Sequence, residues 1–75
     1  MKGIKMRYTV IIEKGSHSYG AYIPDLPGCV AVAESESEVR ELIKEALEFH
    51  LEGMKLNSKR IPKPKVKSYE MEVAV

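Results

Sequence analysis

Residues 21–35 read AYIPDLPGCVAVAES, and the way this stretch turns decides the fold. It holds two prolines three positions apart, two carboxylates (Asp25 in the turn and Glu34 near its end), one glycine and the only cysteine of the chain. Apolar, β-branched residues flank it on both sides. Pro24 has no N–H to give to a sheet, so pairing weakens there. Leu26 precedes Pro27 and is pushed to extended geometry. Pro27 and Gly28 suit the two central positions of a type II turn, where proline presets the first φ and glycine takes the positive second one. Pro24, Pro27 and Gly28 therefore define a tight bend between two antiparallel strands.

Upstream, MRYTVIIE alternates, with Met6, Tyr8, Val10 and Ile12 against Arg7, Thr9, Ile11 and Glu13. Period two with β-branched residues predicts a strand. KGSHS is a hairpin loop, and YGAYI is the returning strand, with Tyr19, Ala21 and Ile23 on one face. CVAVA follows the bend as a third strand. Ser35 then caps a helix, and Glu38, three residues on, completes a capping box. Val39, Leu42, Ile43, Ala46, Leu47, His50 and Met54 recur at helical spacing as an apolar stripe. Arg40, Glu41, Lys44, Glu45, Glu48 and Glu52 make the wet face. Pro62 and Pro64 end the helical region. SYEMEVAV alternates again, and a last strand is expected there. The predicted order is β-β-β-α-β: an α+β fold with an antiparallel sheet and one helix packed on one face.

Seventy-five residues make a single domain, 1–75. So short a chain buries only about 60% of its unfolded surface and commonly needs a staple or a partner. One cysteine makes no internal disulfide, and no clustered Cys/His set suggests a metal. Ile11, Tyr22, Val30 and Val32 fall on the sheet face away from the helix, which makes that face apolar enough to expect coverage by another chain. A homodimer or higher homo-oligomer is the expectation. No apolar run reaches the ~18 residues of a membrane span. The basic, apolar N-terminus lacks a small-residue cleavage site, so it is read as strand rather than signal peptide. A cytoplasmic location is expected.

Net charge is +1, but the charges are segregated. Seven of the eleven acids lie between Glu34 and Glu52, and six of the twelve bases between Lys55 and Lys67, where there is no acid. The basic segment invites an RNA-binding reading through its phosphate-reaching Lys59, Arg60, Lys63, Lys65 and Lys67. It carries no aromatic residue for base stacking, and exposed Lys/Pro chain is the simpler explanation. Asp25 has no evident second titrating partner for acid–base work. Cys29 has no evident histidine beside it, and an isolated cysteine in a strand is most often a small buried hydrophobe. His17 and His50 are too few for zinc. No catalytic, cofactor or metal residues are expected.

YTVIIEK, the hairpin, YIPDLPGC, and the capped helix SESEVRELIKEALEFHLEG resemble the HicB family of antitoxins from about Arg7 to Val75. The resemblance implies a partial ribonuclease H-like fold without that fold's catalytic carboxylates. It also implies a role: to neutralise HicA, a small basic RNA-cleaving toxin, by binding over its active site. Many such antitoxins continue into a DNA-binding part. This sequence stops at Val75, so sequence-specific DNA binding is not expected of this chain alone. An orphan member with another protein partner is the further alternative. The candidate partner interface is Tyr22, Asp25 and Leu26 at the bend, or Glu41, Glu45 and Glu48 on the helix.

Overall fold

The protein is described here from a computed structural model covering residues 5–75. Residues 1–4, which begin the N-terminal stretch discussed above, lie outside the described residues. Three strands precede one helix: β1 (Ile11–Lys14), β2 (Tyr19–Tyr22), β3 (Val30–Ala33) and α1 (Glu36–Leu56). The sheet is antiparallel in the order β1-β2-β3. Ile12 faces Ala21 across the first pair, and Ala21 faces Ala31 across the second. This is the expected α+β arrangement of a strand meander followed by a helix.

The β1–β2 hairpin closes through a bond from the Gly15 N–H to the Ser18 carbonyl, 2.7 Å long. Alternation then sorts the side chains. Ala21 and Ile23 are buried under the helix while Tyr22, one residue away, is exposed. Ala31 and Ala33 pack inward, whereas Val30 and Val32 are 60% and 66% exposed on the opposite face. The outward apolar face read from the sequence is thus present.

Helix α1 starts as expected. Ser35 is extended (φ −135°, ψ 159°), and its Oγ accepts the Glu38 N–H at 3.2 Å. The Glu38 carboxylate takes a bond from the same hydroxyl, so it supports the cap from the side-chain end. Val39 and Ile43 are buried; Ala46, Leu47, Leu51 and Met54 are packed at the edge of the core. Leu42, expected in the apolar stripe, instead lies on its shoulder and is partly exposed. The helix ends on paired reverse bonds. The Lys59 N–H donates to Met54 O and the Ser58 N–H to Lys55 O, with Ser58 in the left-handed region at φ 55°. This closing pattern is a Schellman motif, which normally favours glycine at that position.

The core is one cluster: Ala21, Ile23, Leu26, Cys29, Val39 and Ile43. Three of its six members come from the bend and its flanks, which shows how much that stretch contributes. The helix packs chiefly on β3, then on β2, and leaves β1 the least covered.

One expectation is corrected. Ser68–Val75 pairs with no strand among the described residues, and Tyr69, Met71 and Val73 are 82%, 74% and 73% exposed. Period-two alternation shows that a segment suits a sheet edge. It does not supply the edge, and within one chain this segment stands away from the sheet.

The bend consists of two consecutive turns. The Leu26 N–H donates to Ile23 O at 2.9 Å, and the Cys29 N–H to Leu26 O at 3.1 Å. The Ile23 N–H donates across the base to Cys29 O at 3.3 Å. Gly28 has φ +91°, as the Pro27-Gly28 turn requires. A Cβ at Gly28 would meet no atom within 4 Å, so any cost of adding one is conformational rather than steric crowding. Gly28→Ala is therefore expected to destabilise the fold by about 1 kcal/mol or more. Thermal or urea unfolding measures it, and an unchanged midpoint would show that the turn tolerates L-residues.

Candidate partner-binding surface

Sequence reasoning left two surfaces open, the bend and the acidic helix face. The structure treats them differently. At the bend, Leu26 is 1% exposed and belongs to the core, so it presents no side chain to a partner. Its placement corrects the expectation of a contact residue: the two turns fold the peptide back on itself and carry the leucine under the helix. Asp25 is half-buried and already engaged. Its Oδ2 accepts the N–H groups of Lys65 and Val66 at 3.0 and 3.1 Å. Thr9 Oγ1 donates to Val66 O at 2.9 Å, and the Tyr8 hydroxyl donates to Pro62 O. Burial, and secondarily the Asp25 charge, pushes the Tyr8 phenol above its usual range, which keeps it a donor.

Asp25 is therefore a clamp for the strap that follows the helix. Sequence reasoning missed this role because forty residues separate the partners. The nearest signal was chemical: a carboxylate in a bend, beside a later stretch free of acids. The strap holds Lys63 and Lys65 exposed while its backbone is tied down at Asp25 and Thr9.

The helix surface is free. Glu38, Glu41, Glu45 and Glu48 follow steps of three and four, so they lie on neighbouring turns of one side of α1. Glu38, Glu41 and Glu45 line an open cleft of about 390 Å³ together with Leu42, Val32, Ala33 and Glu34 at the β3 edge. A second shallow groove runs along Arg40, Glu41, Lys44, Glu45 and Glu48. The only ion pair among the described residues is Arg40–Glu36, 3.4 Å and exposed, a kind that contributes little to stability. The row is a line of exposed carboxylates beside the exposed apolar side chains Val32 and Leu42, with Arg40 and Lys44 along its other margin. Tyr22, 39% exposed, lies on the outer sheet face across from Val30.

Chemistry is sparse by comparison. Glu13 sits on β1, Asp25 in the bend and Glu70 on the exposed C-terminal segment. Among the described residues no three His, Cys, Asp or Glu side chains gather into a set that would hold a metal ion. His17 is exposed in the hairpin loop, and His50 lies half-buried on α1 beside Phe49, Gly53 and Met54. Cys29 is 2% exposed, and burial pushes its thiol pKa up. No helix among the described residues is long and apolar enough to cross a membrane.

Comparison with known proteins agrees with this picture. The sequence pattern of HicB-like antitoxins of bacterial toxin-antitoxin systems matches residues 8–73. The chain is 40% identical over 58 residues to a 14.9 kDa protein from the rep-hol intergenic region of Haemophilus phage HP1. That match covers 77% of this chain and 44% of the phage protein, so the chain spans less than half of that relative. It is 37% identical over 59 residues to a UPF0150 protein of Thermoplasma acidophilum, covering 77% of this chain and 86% of that one. A UPF0150 protein of Archaeoglobus fulgidus is 41% identical over 51 residues, 67% of this chain and 74% of its own length.

Two outcomes follow from the bend. Asp25→Ala should cost about 1 kcal/mol, since it removes a charged acceptor from two backbone donors at a partly wet site. Amide exchange at Lys65 and Val66 should quicken while exchange in the core stays slow; Asp25→Asn, which keeps an acceptor, should restore much of the protection. Cys29 should react with iodoacetamide at neutral pH only as fast as the protein opens, because the reactive thiolate is both scarce and covered. Rapid alkylation of the folded protein would show an accessible thiol instead.

Proposed function

We propose that this chain, which belongs to the HicB-like antitoxin family, is a non-catalytic binding module that neutralises a HicA-type RNA-cleaving toxin by covering its active site. Family membership supports the toxin-antitoxin role. The observation that carries the surface is the acidic row Glu38, Glu41, Glu45 and Glu48 beside exposed Leu42 and Val32. A protein that cleaves RNA must attract phosphates, and a surface that attracts phosphates attracts this row. Complementary charge speeds encounter and selects the partner, while the apolar margin supplies the contact that lasts. Occlusion asks for no chemistry from the antitoxin. It asks for about 1,200–2,000 Å² of total buried surface, and the helix face, the β3 edge and Tyr22 are the surface assigned to it on this reading.

The bend serves this reading indirectly. With Leu26 in the core and Asp25 holding the strap, it sets the position of the helix rather than touching the toxin. The basic strap lies apart from the acidic row, and an RNA-binding role for it would appear as salt-dependent RNA binding by this chain alone.

The assay is RNA cleavage by a HicA-type toxin encoded beside this gene, with and without one equivalent of this protein. Cleavage should stop. Reversing Glu41, Glu45 and Glu48 to lysine should slow association by about tenfold or more and flatten its salt dependence, with the helix intact because all three side chains are exposed. Undiminished cleavage without a detectable complex would overturn the antitoxin role. Full inhibition at an unchanged rate by the triple variant would place the contact elsewhere.

A further inference from the structure

A second cleft lies on the opposite flank of the helix. Between β1 and α1 a volume of about 390 Å³ is lined by Val10, Ile12, Ile43 and Leu47, with Arg40 and Lys44 at its rim. Among the described residues the sheet order leaves β1 with a strand on one side only, so its outward N–H and C=O groups face no strand there. An unpaired edge beside an apolar cleft is the geometry that accepts an added strand.

The chain also carries a strand without a sheet. In Ser68–Val75, Tyr69, Met71, Val73 and Val75 alternate with Glu70, Glu72 and Ala74. These four apolar side chains are all strongly exposed. The segment projects: the radius of gyration is 14.4 Å with a longest extent of 48 Å, against about 11 Å for a compact chain of this length. The strap is tied to the body at Pro62, Lys65 and Val66, and the projecting arm begins just beyond them.

We propose that Ser68–Val75 is an exchanged strand. The arm of one chain lies along the β1 edge of a second copy, seats its alternate apolar side chains in the Val10, Ile12, Ile43, Leu47 cleft, and receives the other copy's arm in return. The match is physical on three counts. Eight extended residues span about 26 Å, more than enough to run the length of β1. The arm shows one apolar face to a cleft that is apolar. Its charged residues are both acidic, Glu70 and Glu72, while those rimming the cleft are both basic, Arg40 and Lys44. Each copy offers one arm and one cleft, so the exchange closes as a two-fold pair and leaves neither unpartnered. The acidic row along Glu41, Glu45 and Glu48 stays outside the exchange, which does not depend on the antitoxin reading.

Light scattering at tens of micromolar should give twice the mass of the 75-residue chain. The double variant Met71→Lys, Val73→Lys should give the mass of one chain with its helical circular dichroism retained, since both side chains are exposed in the single chain. In wild-type protein mixed from isotope-labelled and unlabelled chains, filtered NOEs should join the Met71 methyl of one copy to Ile43 and Leu47 methyls of the other. This measurement needs no variant. A monomeric wild type overturns the exchange, as does a double variant that remains paired, which would put the contact on the outer Tyr22, Val30, Val32 face. NOEs from Met71 to Ile43 and Leu47 within one chain overturn it too, because the arm would then complete its own sheet.

Discussion

The two turns between Ile23 and Cys29 are the constraint on which the rest of the molecule depends. Seven residues, Ile23 to Cys29, reverse the chain within three backbone hydrogen bonds, and the reversal is possible because Gly28 accepts φ +91°. That geometry delivers Leu26 and Cys29 into the same small core as Ile23. It sets β3 antiparallel to β2, so the helix that follows Ala33 starts at one end of the sheet and runs back across it. It also leaves the Asp25 carboxylate outside the turn, where it meets the strap returning from the helix. A short chain with six buried hydrophobic residues has little stability to spare, and here one turn organises half of that core.

Because the helix leans toward β3 and β2, the flanks of the domain differ. On the β3 side the helix shows carboxylates, with valine and leucine at their margin. On the β1 side it shows isoleucine and leucine over an unpaired strand edge, with arginine and lysine at the rim. One flank suits a basic partner and the other an apolar strand with acidic residues. The division follows from helical periodicity: Glu41, Glu45 and Glu48 sit about 140° around the helix from Ile43 and Leu47, with Arg40 and Lys44 between the two sets and bordering both grooves.

Much of this was legible in the sequence by itself. Alternation in YGAYI and CVAVA assigned β2, β3 and their inward set, because a strand puts neighbouring side chains on opposite faces whatever surrounds it, whereas of YTVII only Ile11 and Ile12 lie in β1, which runs on to Lys14. Ser35 and Glu38 marked the helix start, and Pro27-Gly28 marked the turn, because caps and turns are satisfied within a few residues. The charge segregation and the apolar outer face were also readable, as was the family resemblance. What only the tertiary structure decided involves partners distant along the chain. Leu26 lies in a bend between Asp25 and Pro27, yet the fold buries it, since the double turn has an inside. Asp25 clamps the segment after the helix, a role invisible in local sequence because its donors arrive forty residues later. Ser68–Val75 alternates like a strand but pairs with none, for a strand needs an edge as well as a pattern, and which edge it meets is set by three-dimensional placement that local periodicity does not encode.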